Sequence, residues 1–207
     1  MKASRSVIQK VTALVDSSAF VDSLPPHSLV VYLGWASQGD PVSGGVGAFV
    51  VYSHPDGTRL THHFFHPLGH HTHSTGILWG VGMALTFFSE NQTLKNNIHL
   101  CSLYFLTDHH WAVNAFQKGV PSKHNDFDLI SKVREVIRRT VVINYPKVCW
   151  LPGNTPGFNS AVSLASRASI TPINPRSLPG RDDNMFSPPI PVRFGYSTLR
   201  GTIVSVH

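Results

Sequence analysis

Hydrophobic and polar positions predict a run of strands in the first half of the chain. The β-branched and aromatic runs Val30–Leu33 and Ala48–Tyr52 enclose a glycine-rich segment that also holds Asp40 and Pro41, a composition typical of a turn. A second turn, Pro-Asp-Gly, precedes Thr58–His66, which has the composition of another strand. We therefore expect three consecutive antiparallel strands.

The pattern then predicts helices alternating with strands. Ser74 is a predicted N-cap, because apolar residues follow it at helical spacing. Ile98–Thr107 is typical of a strand buried on both faces, and Trp111–Phe116 predicts a short helix after it. A longer helix and the strand-like runs Val141–Ile143 and Val148–Leu151 follow. The positions that define the two longer helices are Ile77, Leu78, Val81, Leu85 and Phe88 in the first, and Phe127, Ile130, Val133, Val136 and Ile137 in the second.

The two ends of the chain differ from this pattern. Residues 1–27 are expected to form a lead-in, in which Val7–Val15 can make a helical turn or two before prolines stop it. Residues 169–207 are rich in proline and predict an extended tail, with a turn at Ser197–Arg200. One folded domain, residues 28–168, remains, and a hydrophobic content of 42% is enough for its core.

The first hairpin resembles that of type 1 ribonuclease H domains, whose glycine-rich motif matches six residues here: Gly39, Pro41, Gly44, Gly45, Gly47 and Ala48. Trp150–Gly153, followed by the matching residues Gly157, Ala161, Leu164 and Ala165, resembles the end of the same domain. The motif at Trp150–Gly153, the helix that follows it and the tail are together most similar to the ribonuclease H region of non-long-terminal-repeat retroelement polyproteins. The resemblance implies an α/β fold: a five-stranded mixed sheet, three antiparallel strands then two parallel, flanked by helices, with a proline-rich C-terminal extension.

The resemblance also implies where catalytic groups would stand. Such enzymes cut the RNA strand of an RNA–DNA hybrid with two divalent ions held by four acids. These acid positions fall here on Gly34, Ile77, Asp108 and Val162, and the mobile histidine falls on Asn154. Asp108 alone keeps its carboxylate, and magnesium needs oxygen ligands. No catalytic residue, metal or cofactor is therefore expected, and Mg²⁺ or Mn²⁺ would be needed only if the domain were active.

The retained and replaced positions carry further expectations. Asp108 is expected to cap the helix Trp111–Phe116, because an aspartate before a helix accepts its unpaired N–H groups. Restoring acids at Ile77 and Val162 is expected to lower the melting temperature without metal, because neighbouring carboxylates repel.

Charge is unevenly distributed along the sequence. Residues 1–117 carry five Lys and Arg against six Asp and Glu, whereas residues 118–207 carry twelve against five, within a net charge of +6. This asymmetry favours a polyanionic partner, although it is equally typical of a solvated basic surface. The candidate contacts with nucleic acid, either RNA–DNA hybrid or structured RNA, are Lys118, Lys123, Lys132, Arg134, Arg138 and Arg139.

Histidines are dense between residues 62 and 73 and raise the question of a metal site, because neutral imidazole binds transition metals. The candidate ligands are Asp108, His62, His66, His70, His71 and His73, and the alternative is a polar strand edge and loop. Cys101 and Cys149 are too few for a disulfide framework and are expected to be reduced and buried.

Three functions follow as hypotheses. The first is a ribonuclease H-like module that no longer cleaves and binds nucleic acid or protein. The second is an active hybrid ribonuclease with relocated ligands. The third is a structural subunit of a ribonucleoprotein whose tail contacts a protein neighbour. No apolar run approaches a membrane span of about 20 residues, so we expect no membrane association and a nuclear or cytoplasmic location. The basic, acid-poor N-terminus leaves a mitochondrial location open.

Overall fold

The computed structural model describes residues 17–38, 43–54, 59–69, 71–90, 102–140, 146–153, 155–171 and 197–199. The strands are β1 (Ser28–Gln38), β2 (Ser43–Ser53), β3 (Arg59–Gly69), β4 (Ser102–Thr107), β5 (Lys147–Trp150) and β6 (Ser197–Leu199). The helices are α1 (Ser17–Asp22), α2 (His73–Glu90), α3 (His110–Lys118), α4 (Phe127–Thr140) and α5 (Pro156–Ser169).

The strands form one sheet in the order β5-β4-β1-β2-β3-β6. β1, β2 and β3 are antiparallel neighbours, and the hairpin register runs from Leu29 opposite Tyr52 to Gln38 opposite Ser43. β4 pairs with β1, and β5 with β4, in parallel. The predicted sheet of three antiparallel and two parallel strands is confirmed.

β6 adds a strand that the sequence did not predict. Ser197–Leu199 pairs antiparallel with Arg59–Thr61 at the outer edge of β3. The expectation of a turn at Ser197–Arg200 was therefore wrong over these three residues. The unpaired backbone groups of an edge strand favour an added strand, and a local sequence pattern carries no information on that distant partner.

The two faces of the sheet bury separate clusters, as the alternation of side chains along a strand requires. Leu29, Val31 and Leu33 of β1 pack with residues of α2, α3 and α4. Val30 and Tyr32, which point to the other face, pack with Phe158 and Ala161 of α5 and with residues of α1 and the segment after it. The central hairpin is thus covered on both sides.

Glycines let α5 lie directly against the hairpin. A Cβ atom added to Gly34 would stand 2.5 Å from the Val162 nitrogen, and one added to Gly45 would stand 2.6 Å from the Ala165 oxygen. Gly47 has a still closer backbone neighbour in Ala161. On the opposite face, Gly76 and Gly80 of α2 lie against side chains of β1 and β2.

Local details correct some expectations. The hydroxyl of Thr72, rather than Ser74, accepts the Thr75 N–H at the start of α2. Phe127 is exposed, and Leu129 is buried in its place. None of the described helices has the length and apolarity needed to cross a membrane. The expectations for Val7–Val15, Asp40, His70, Cys101, Val141–Ile143 and Asn154, and for the tail outside 197–199, lie outside the described residues.

Candidate nucleic-acid interface

The structure brings the four family acid positions to the level of the sheet at which the pairing of β1 with β4 ends. Gly34 and Asp108 each lie two residues beyond Tyr32 and Leu106, the last paired residues of β1 and β4, so they stand at the same level of neighbouring strands. Gly34 approaches the backbone of α5 at Val162. Ile77 follows Gly76, which lies against Trp35, the neighbour of Gly34.

Residues at this end of the sheet leave no room for an acid at Gly34. Gly34 is buried, and its added Cβ would stand within 2.5–2.6 Å of backbone atoms of Val162 and Ala161. On the other face, the Trp35 indole lies where side chains on Gly44 and Gly76 would stand. Both faces of β1 are therefore filled at the level where the family places its first aspartate.

The donor set at these positions does not fit a pair of divalent ions. Gly34, Ile77 and Val162 have no side-chain oxygen, and Ile77 is only 1% exposed within the apolar core. Asp108 is exposed beside Gly153. Within the described ranges, no three His, Cys, Asp or Glu side chains are grouped so that they could hold a metal ion. We derive no metal-dependent step from this chain.

The cap of α3 is His109, not Asp108. The Nδ1 atom of His109 accepts the N–H of Ala112 at 3.2 Å, whereas the Asp108 carbonyl oxygen accepts the Trp150 indole N–H at 2.9 Å. The expectation that Asp108 caps this helix was wrong because the helix begins at His110, so the residue in the N-cap position is His109. An N-cap must immediately precede the first helical residue.

We predict that His109→Ala destabilises the protein by about 0.5–2 kcal/mol, because the substitution removes this cap. His109→Ser supplies a hydroxyl acceptor and should restore most of the loss. Urea unfolding at pH 7.5 measures both variants, and His110→Ala is the control because His110 is exposed and is not the residue that accepts the capping hydrogen bond. Equal stability of all three would contradict the assignment.

His109 also contacts His73 at the start of α2. The ring centroids are 4.3 Å apart, in an edge-to-face arrangement. Burial lowers the pKa of both imidazoles, and for His73 the neighbouring His109 lowers the pKa further, while Asp108 opposes the shift. These two rings therefore favour the neutral state, in which Nδ1 of His109 can accept its hydrogen bond.

The other candidate metal ligands are dispersed. His62 is 7% exposed and lies against Phe87 of α2, with ring centroids 5.9 Å apart. His66 lies four residues after His62 in β3, and burial lowers its pKa. His71 is exposed before α2 and stacks on Trp79.

The candidate basic residues lie on α3, on α4 and between them. Lys118, Lys123 and Arg138 are exposed, and Lys132 is half-buried. Arg134 is committed to the fold, because its guanidinium donates to the Phe116 carbonyl at 2.8 Å and lies against Gly119 at the end of α3. The Arg139 side chain lies outside the described part of the chain.

The sequence analysis missed a set of stacked tryptophans and histidines. The His110 ring stacks on the Trp150 ring with centroids 4.3 Å apart, and the His124 ring stacks on the Trp111 ring with centroids 5.2 Å apart. Trp111 and His124 line an open groove of about 430 Å³ between the start of α2 and the segment before α4. The signal in the sequence was a concentration of His and Trp, but the partners are distant along the chain and only the fold pairs them.

The strand order and the flanking helices define a ribonuclease H fold. Among solved structures that match it, LC9-RNase H1, a type 1 RNase H with the type 2 active-site motif, has a TM-score of 0.54 and 19% identity over 70% of this chain and 74% of that one. LC11-RNase H1, isolated from compost by a metagenomic approach, has a TM-score of 0.52 and 16% identity over 69% and 96%.

The same LC11 protein in complex with an RNA/DNA hybrid gives a TM-score of 0.54 with the same identity and coverage. At these identities the likeness shows the fold alone. No protein-family model matches the sequence, and no curated protein matches it.

Proposed function

We propose that this chain is a nucleic-acid-binding module with a ribonuclease H fold that does not cleave by the two-metal route. The observation that carries the proposal is the close approach of α5 to Gly34, which leaves no space for the first acid of that site. Ile77 and Val162 supply no ligand atom at two further positions. Retroelement descent is part of the proposal and is supported by the sequence resemblance of residues 150–165 and of the tail.

Binding is supported by exposed cations on a fold that others use for nucleic acid. Lys118, Lys123 and Arg138 are exposed around α3 and α4, where charge can reach phosphates without base readout. LC11-RNase H1 has been solved with an RNA/DNA hybrid, and we extend that ligand class to this chain. The pairing of β6 with the edge of β3 keeps this part of the tail on the chain's own sheet, which disfavours the alternative of a ribonucleoprotein subunit whose tail contacts a neighbour.

One gel series tests cleavage and binding together. Purified protein is mixed with labelled RNA–DNA hybrid, double-stranded RNA and duplex DNA, with Mg²⁺ or Mn²⁺, at two salt concentrations. We expect an intact hybrid whose shift weakens as salt rises, because phosphate contacts release counterions. Cleavage that Asp108→Asn abolishes would overturn the proposal in favour of relocated ligands. Neither cleavage nor a shift would favour the protein-interaction role.

The cations should separate into binding and structural groups. We predict that Lys123→Ala and Arg138→Ala each reduce the slope of log K against log salt by about 1 without changing stability. Arg134→Ala should instead lower the free energy of unfolding by about 1–3 kcal/mol, because it breaks a charge-assisted bond to Phe116. Fluorescence anisotropy over a salt series and urea unfolding measure the two effects. A full loss of binding in Arg134→Ala with unchanged stability would contradict this division.

A further inference from the structure

Stacked aromatic rings line the groove beside α2. It measures about 430 Å³, within the range of roughly 300–1,000 Å³ that small-molecule sites occupy. His71 lines one side and stacks on Trp79 with ring planes 27° apart. His124 lines the other side and stacks on Trp111 with planes 29° apart. The His124 imidazole is exposed, so a planar ring entering the groove can extend its stack on Trp111.

Charge in the groove disfavours a phosphate. None of the described residues that line it is Lys or Arg. Asp126 contributes a carboxylate, whose Oδ1 accepts the Thr75 hydroxyl at 3.0 Å. A dianionic group placed here would be repelled by this carboxylate, with no fixed cation in the lining to offset the repulsion. A neutral ring would not be repelled.

Polar groups at the rim can pair with the edge of a base. Asn125 is exposed in the lining and offers both an amide donor and a carbonyl acceptor. Thr72 and Ser74, which carry hydroxyls, also line the groove. Such groups, with stacking surfaces, are the usual means by which proteins hold unpaired bases.

A strand can reach the groove from the basic side. Lys123 immediately precedes His124 in the lining and is exposed, and Lys118 lies at the end of the helix that carries Trp111. We propose that the groove between α2 and residues 124–126 binds an unpaired nucleobase of a strand whose phosphates contact these lysines. This proposal rests on the proposed nucleic-acid function and adds a preference for duplexes with a single-stranded extension.

The test compares three ligands on the full chain by fluorescence anisotropy. The first is a blunt RNA–DNA hybrid, the second carries a four-nucleotide single-stranded extension, and the third carries the same extension without bases. We expect the extension with bases to bind about tenfold more tightly than the blunt hybrid, as base–aromatic stacking provides. The abasic extension, which keeps the phosphates, should lose that gain.

Three variants locate the effect. His124→Ala removes the exposed ring and should abolish the gain, whereas His124→Phe keeps a ring and should retain it. His110→Ala is the matched control, since it removes a histidine stacked on Trp150 that is not among the lining residues. Thermal unfolding verifies that each variant is folded.

The outcomes separate the two proposals. Equal affinity for the blunt and extended hybrids, or an equal gain from the abasic extension, overturns the groove assignment and leaves nucleic-acid binding intact. A gain that persists in His124→Ala also overturns it. Failure to bind any of the three ligands overturns the proposed function together with the groove.

Discussion

Gly34→Asp is expected to destabilise the protein by at least about 3 kcal/mol, rather than to rebuild a metal site. The new Cβ would stand 2.5 Å from the Val162 nitrogen and 2.6 Å from the Ala161 carbonyl carbon, so the backbone of α5 must move away from β1. Overpacking of this kind costs about 1–3 kcal/mol, and a buried carboxylate without a partner adds to it. This loss is a large fraction of the free energy of unfolding of a typical domain, which is roughly 5–15 kcal/mol.

Val162→Asp is the matched control. It restores another family acid position, but Val162 is 41% exposed, so its carboxylate stays in water and should change stability by less than about 0.5 kcal/mol. The structure thus divides our expectation for restored acids: Ile77, 1% exposed, should destabilise when replaced by Glu, and Val162 should not. Urea unfolding without metal measures all three. Equal stability of Gly34→Asp and Val162→Asp would show that α5 does not pack against β1 as described.

The second large effect is a loss of stability in mild acid. Burial lowers the pKa of four histidines in the folded protein: His62, His66, His73 and His109. A lowered pKa means that the unfolded chain binds protons more readily than the folded protein. Above the ordinary histidine pKa of 6.5 these histidines are neutral in both states, and the free energy of unfolding is at its full value. As pH falls below 6.5 toward the lowered pKa values, the unfolded chain takes up protons first and the free energy of unfolding decreases.

Urea midpoints between pH 8 and 5 should therefore fall steadily below about pH 6.5, the ordinary histidine value. His62→Leu should make the urea midpoint depend less on pH, because it replaces a buried imidazole packed against Phe87 with a side chain that does not titrate. His63→Leu is the comparison: its side chain points to the other face of the sheet, and its charge is the smaller cause of the lowered pKa of His62, so it should flatten the dependence less. A midpoint independent of pH in the wild type, or an equal flattening by both variants, would contradict the argument.

Most of the fold was predictable from the sequence because it depends on local patterns. The glycine-rich hairpin, the helical spacing after Ser74 and the apolar run into Thr107 each specify an element and its buried side. β6 was not predictable, because three residues carry too little pattern to name a distant edge partner. The cap at His109 was missed for a related reason, since an imidazole acceptor is rarer at that position than Asp or Ser.

The candidate site was predictable only in part. Aligned motifs placed Gly34 and Asp108 at one end of the sheet, and the structure puts them at one level of adjacent strands. The sequence could not show that backbone atoms of α5 fill the space beside Gly34. Nor could it show that Arg134 bonds to Phe116 while neighbouring cations stay exposed, because periodicity gives a helix face and not a partner.

The packing of α5 against Gly34, Gly45 and Gly47 also affects how the chain folds during synthesis. One face of the β1–β2 hairpin is covered by α5, yet about 100 residues separate Ser53 from Pro156. A nascent chain adds about 5–20 residues per second, so this face must wait on the order of 5–20 s for its helix. During that interval the exposed Val30 and Tyr32 are open to chaperones or to a second nascent chain, and every truncation upstream of Pro156 makes the exposure permanent.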